Sequence, residues 1–173
     1  LNWLAVRGCG LEGGPSIIRA RPGCGGIGIH GYTSRHYDGA QWYVDANGHF
    51  RTGMTIFQYQ LRDIEEGMGG VTVMPGSHKA NFKCPEDIML YNSDREVVHN
   101  IACKAGDLVI FMETTIHGSL PWKLEYERRS LMYHSTPGFC SFGTGLYETQ
   151  TPDWYDDATA IPKAAIAPPY VPH

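Results

Sequence analysis

Lys104–Phe139 reads KAGDLVIFMETTIHGSLPWKLEYERRSLMYHSTPGF, two strand-like runs (Leu108–Met112 and Ser130–His134) separated by a histidine at 117 and an arginine pair at 128 and 129. Gly106-Asp107 ahead of the first run is a tight-turn pair of the kind that a double-sheet jelly roll needs repeatedly. His117 is expected to end one strand and Arg128, eleven positions on, to open the next. So placed, the two can face one cavity, where a metal ion and a small anion sit side by side. Side chains alternate along a strand, so Arg128 and Ser130 share a face and Arg129 is expected outward. Arg128 can then hold a carboxylate in a bidentate pair, with the Ser130 hydroxyl beside it. The plainer reading leaves both arginines on a solvated turn with Glu125 and Glu127.

Outward from this stretch, further short strands are expected at Ser16–Ala20, Gly26–His30, Met54–Leu61, Val71–Met74 and Val97–Cys103. Asn47-Gly48 is a hairpin signal inside the long connection from Tyr32 to Gly53. A connection of that length is unusual in a compact domain unless it covers a site, and its stretch Tyr37–Phe50, with Trp42 and Tyr43, reads either as a lid or as simple loop packing. A helical turn is expected near Glu86–Leu90, and residues 141–173 read as an extended tail. With 21 Gly and 11 Pro in 173 residues, many short strands and turns are favoured over long helices. The composition therefore argues for one mostly β domain over residues 1–173, an antiparallel sandwich or barrel with its core at about 26–140.

A net charge of −4 offers no general attraction to nucleic acid or anionic membrane, and no apolar run reaches the roughly 20 residues of a bilayer span. Five cysteines without a C-x-x-C pair exclude zinc-finger spacing and read as reduced, mostly buried thiols of a cytoplasmic protein. Oligomeric state is not legible.

A metal at His117 needs partners. His36-Tyr37-Asp38 is a literal H-x-D, placing imidazole and carboxylate as a two-His-one-carboxylate triad requires. His30 is the alternative, because a ligand at a strand end is held rigidly, although Tyr32 two positions on carries no carboxylate. His49 lies beside a turn, His99 and His134 lie within strands, and His78 follows a turn that it can anchor.

GGVTVMPGSHK (Gly69–Lys79), followed by AGDLVIFMETTIHGSLPW and ERRSLMYH, resembles the phytanoyl-CoA dioxygenase family over roughly residues 26–140. The resemblance implies a double-stranded β-helix fold and a non-haem Fe(II), 2-oxoglutarate-dependent oxygenase acting on a small organic molecule. It implies that His117 is the distal iron ligand, that Arg128 pairs with the distal carboxylate of 2-oxoglutarate, and that His78 is structural. It leaves two sources for the first half of the triad, His36 with Asp38 or His30. With His30 alone, the site would borrow Asp38, resemble the halide-binding variants of the fold, or lack iron. The family's longer N-terminal portion is expected to be missing, since the chain begins at Leu1 well into the pattern. The competing class is a non-catalytic β-barrel domain in which His117 and Arg128 bind a small acid or a partner.

Overall fold

The computed structural model describes residues 9–11, 15–31, 41–80, 83–90, 95–140, 153–154 and 156–160. In chain order the elements are β1 (Cys9–Leu11), β2 (Ser16–Ala20), β3 (Ile27–His30), β4 (Tyr43–Ala46), β5 (His49–Thr52), β6 (Thr55–Gln60), β7 (Gly70–Val73), α1 (Glu86–Met89), β8 (His99–Asn100), β9 (Leu108–Met112), β10 (His117–Leu120) and β11 (Arg128–Pro137). Two antiparallel sheets dominate. In one, β11 pairs with β6 on one side and with β1 and β2 on the other, and β9 lies beyond β6; the second runs β3-β10-β7-β8. Strands β4 and β5 form a separate hairpin whose turn residues Asn47 and Gly48 have φ of 55° and 73°, as a two-residue turn demands. The fold is thus mostly β with minor helices, the double-stranded β-helix expected.

The faces of the larger sheet carry an inverted polarity. On β6 the inward residues are Ile56, Gln58 and Gln60, while Phe57 and Tyr59 point out. On β11 the inward set is Arg128, Ser130, Met132 and His134, with Leu131 and Tyr133 outward; Arg129 is exposed as alternation requires. The register explains how this holds together. Leu131, Tyr59 and Leu108 form one cross-strand row on the outer face, and Tyr133, Phe57 and Ile110 form the next, with Tyr59 and Tyr133 edge to face. Apolar pairing outside stabilises strands whose inner face is given over to polar groups.

Dry packing is found elsewhere. Ile29, Ile116, Cys84 and Val98, with Met74, Ile88 and Met89 against them, form one cluster to which the excursion through α1 contributes. Ile64, Cys103 and Trp122 form another, and the Trp122 indole donates to the carbonyl of Tyr126 at 2.6 Å.

Four expectations need correction. His117 does not end a strand; it opens β10, a strand too short and too poor in apolar residues for periodicity to reveal. The strand expected over Val97–Cys103 shrinks to β8, because the Asn100 side-chain amide bonds the carbonyls of Gly69 and Val71 at 2.7 and 3.0 Å and takes over contacts a ladder would make. Strand β11 runs on from His134 to Pro137, paired there with β1. The core also extends below residue 26, since β2 pairs along β11 from Arg128 to Met132. The tail at 141–173 lies almost wholly outside the described residues.

Strand β3 carries a bulge. His30 pairs with His117 and Ile27 with Ser119, so Gly28 and Ile29 together stand opposite Gly118. The bulged backbone presses onto Gly118: a Cβ there would lie 3.0 Å from the Gly28 oxygen, the Ile27 oxygen and the Ile29 Cα. Gly118→Ala is therefore expected to push β3 away and to destabilise the protein by about 1–3 kcal/mol. Urea denaturation checks this, with an alanine variant as stable as the wild type counting against the packing described.

Candidate functional site: two histidines and a buried arginine

Between the sheets lies a cavity of about 230 Å³. Ile56, Gln58, Phe111, Arg128, Met132 and His134 reach it from one sheet; Ile27, His30, Val71, His117 and Ser119 reach it from the other, and Glu113 from the turn after β9.

The β3–β10 pairing sets His30 directly opposite His117, with ring centroids 4.3 Å apart. Each imidazole is clamped by the backbone two residues before it. His30 Nδ1 donates to the Gly28 carbonyl at 2.8 Å, and His117 Nδ1 donates to the Thr115 carbonyl at 2.6 Å. A carbonyl only accepts, so in both rings the proton sits on Nδ1 and the lone pair on Nε2. This is the tautomer that metal-binding histidines use when the second nitrogen is held by an outer partner. Burial above all, with smaller contributions from His30 and His134, lowers the His117 pKa to about 4 against the raising effect of the Thr115 hydrogen bond. At neutral pH the ring is an uncharged donor.

Two glycine and serine contacts hold this arrangement. Gly31, at φ 104°, lets the chain leave β3 against the turn before β10, where a Cβ would lie 2.5 Å from the Thr115 oxygen. From the other side, buried Ser77 donates to the Met74 carbonyl and accepts the Ile116 N–H, both at 2.7 Å. The P-G-S-H segment thereby fixes the residue just before His117. Its own His78 stands edge-on to Tyr43 at 4.8 Å and does not line the cavity, the structural role expected.

Arg128 is 2% exposed, and a Cβ on Gly70 would lie 3.4 Å from its Nε. Its guanidinium donates to Ser119 Oγ at 3.0 Å, yet Nε has no hydrogen-bond partner and, among the described residues, no carboxylate forms an ion pair with it. Burial draws its pKa below the usual arginine value. An isolated buried cation costs several kcal/mol, so this arrangement calls for an anion. Gln58 Oε1, also buried on the cavity wall, is likewise without a partner.

Of the residues singled out from sequence, His117, His30 and Arg128 come together. His36 and Asp38 lie outside the described residues. Ser130 shares the inward face of β11, but its hydroxyl donates to Gln60 Oε1 at 2.7 Å and is not on the cavity wall; the hydroxyl beside Arg128 is that of Ser119. The described part of the candidate lid packs elsewhere, Trp42 on Phe139 and Tyr43 on Phe50 and His78. Sequence reasoning passed over Glu113, Ser119 and His134. His134 was legible, six residues beyond Arg128 and so on the same face of one strand. Among the described residues, no group of three His, Cys, Asp or Glu side chains is already gathered to hold a metal ion.

With fold and site in view, the class is plain. The chain belongs to the phytanoyl-CoA dioxygenase (PhyH) family, whose model matches residues 19–130, more than half of it. Among solved structures it is similar to HygX from Streptomyces hygroscopicus with nickel and 2-oxoglutarate bound, with a TM-score of 0.70 at 19% identity over 80% of this chain and 60% of HygX. HygX with nickel, 2-oxoglutarate and hygromycin B bound gives 0.69 at 20% identity, over 80% and 60%. AviO1 from Streptomyces viridochromogenes Tue57 gives 0.56 at 15%, over 74% and 51%. At such identities the likeness is one of fold, and the chain spans about 60% of the length of HygX. A comparison with curated proteins finds no match. No helix among the described residues is long and apolar enough to cross a membrane.

Two outcomes follow from the site. Ser77→Ala strands the buried Ile116 N–H and is expected to cost about 1–3 kcal/mol in chemical denaturation. His117, with its pKa lowered from 6.5 to about 4, binds its proton later in the fold than in the unfolded chain. Its contribution is complete above pH 6.5 and is lost as the pH falls to about 4, on the order of 3 kcal/mol. Urea titrations across that range should show the limb in the wild type and a flattened one in His117→Asn.

Proposed function

We propose that this protein is an Fe(II)- and 2-oxoglutarate-dependent oxygenase that hydroxylates a small organic substrate, releasing succinate and carbon dioxide. The observation that carries the reading is a buried arginine without a carboxylate partner among the described residues, on the wall of a cavity that His30 and His117 also line. The donor set suits the group. Two neutral imidazoles are ordinary ligands for Fe(II), and a guanidinium beside a serine hydroxyl suits a carboxylate. In this reading His30 and His117 hold the metal, Arg128 and Ser119 take the far carboxylate of the co-substrate, and Gln58 offers its amide to the same ligand. His36 and Asp38 stay as the other source of ligands from the loop at 32–40.

When bound, iron with the 2-oxo acid would supply the redox chemistry, with dioxygen as oxidant giving one oxygen atom to succinate and the other to the hydroxylated C–H bond. The chain's own part is to bind, orient and keep dry. The backbone clamps fix both rings before any ligand arrives, so little reorganisation is needed on binding. Arg128 neutralises a dianionic co-substrate in a low-dielectric place, where the attraction is strong. Ile27, Ile56, Val71, Phe111 and Met132 line the remaining wall and exclude water. HygX, of like fold, holds hygromycin B with nickel and 2-oxoglutarate, which supports a small polar molecule as substrate here. The setting proposed is the cytoplasm, on the free thiols of Cys24, Cys84, Cys103 and Cys140.

Succinate release from 2-oxoglutarate with added Fe(II) tests the proposal. His117→Ala should abolish it, and turnover surviving that change would sink the iron assignment. Arg128→Gln should raise KM for 2-oxoglutarate at least about tenfold, the worth of one charge-assisted bond. Loss in His30→Ala with activity kept in His36→Ala is the result expected for the first imidazole arm; the reverse transfers that role to His36.

A further inference from the structure

Resting on that reading, we infer that Glu113 supplies the carboxylate arm of the metal site. A two-His-one-carboxylate site needs an acid beside its imidazoles, and the position two after His30 is Tyr32. Among the described residues, Glu113 is the acid that lines the cavity. It lines the same cavity as His30 and His117, its side chain is largely buried, and its Oε2 stands 4.0 Å from His117 Nε2.

The facing atoms are what make this contact informative. His117 Nδ1 spends its proton on the Thr115 carbonyl, so the Nε2 that stands 4.0 Å from the Glu113 carboxylate carries a lone pair rather than a proton. A cation bound by both would turn two neighbouring acceptors into two ligands. Two ligands at right angles on an ion with bonds of about 2.1 Å stand about 3 Å apart. The 4.0 Å separation therefore closes with a modest turn of a glutamate side chain, which has three torsions to use.

The backbone places all three groups together. Immediately after His30, Gly31 lies against the turn that carries Glu113: a Cβ on it would come within 2.5 Å of the Thr115 oxygen and 3.2 Å of the Glu113 oxygen. The Glu113 N–H is itself anchored on the Met54 carbonyl at 3.1 Å, just before β6. His30, Glu113 and His117 thus come from a strand end, a tight turn and a strand start, with His117 against the His30 ring on one side and 4.0 Å from the Glu113 carboxylate on the other. In sequence the arms would read H at 30, E at 113 and H at 117, a spacing no H-x-D search finds.

Nickel(II) and cobalt(II) binding to the full chain provide the test, by calorimetry and by the visible absorption of cobalt. Glu113→Gln keeps the shape and removes the charge; it should weaken nickel binding at least about tenfold, the least expected when even an outer partner of a ligand is lost. It should also change the cobalt spectrum, while Asp38→Asn leaves both as in the wild type. Glu113→Asp, which keeps the charge on a shorter arm, should fall between. Melting curves without metal separate folding from ligation; if the Gln variant does not fold, an unchanged cobalt spectrum in a folded Asp variant overturns the inference. So does wild-type affinity in Glu113→Gln, or a tenfold loss in Asp38→Asn alone. A wild type that binds neither ion removes the proposed function and this inference together. Nickel binding that is lost in His117→Ala but kept in Glu113→Gln removes only the inference.

Discussion

A buried guanidinium that pairs with no carboxylate among the described residues is the constraint around which the rest of the structure is arranged. Arg128 is buried on the cavity wall, with one hydroxyl on one nitrogen and no partner on Nε. Water would solvate it far better than this wall does, and an anionic ligand beside it would offset that cost. The sheet that carries it reflects the same requirement. Strands β6 and β11 turn glutamines, a serine, a histidine and the arginine inward, and hold themselves together by apolar rows on the outer face.

That inversion also explains what could be read in advance. Alternation locates a strand whichever face is buried, so Ser16–Ala20 and Leu108–Met112 were placed to the residue and β6 nearly so, while β11 was found but cut short at His134. It does not tell an apolar core from a polar cavity, and a rule that sends Phe57 and Tyr59 inside would misplace Gln58 and Gln60. Parity along one strand does carry over, which is why Arg128 inward and Arg129 outward were both legible. His134 obeys the same parity and was set aside only because an in-strand histidine usually has a packing role.

The second sheet was harder, for physical reasons. Strand β10 is four residues with a glycine and a serine at its centre, and it exists because β3 and β7 pair on either side of it. No local propensity announces such a strand; neighbours create it. The position of His117 at its start, the bulge opposite Gly118 and the contact of Gly31 with the turn at 113–115 are all long-range facts. Glu113 stayed hidden for the same reason. It directly follows β9, and only the long-range pairing of β3 with β10 brings the β3 end beside its turn.

The clamps on the two imidazoles are main-chain oxygens, of Gly28 in the bulge and of Thr115 in the turn. A histidine oriented by an aspartate can be disarmed by exchanging one side chain. Here the orienting group belongs to the backbone, present whatever residue occupies the position. Replacing side chains around the cavity one at a time would therefore report no partner for either ring, and the two positions can drift in sequence without loss of the tautomer. What is inherited at these points is a path of the chain rather than a residue, so relatives can share the device while showing no common letter for it.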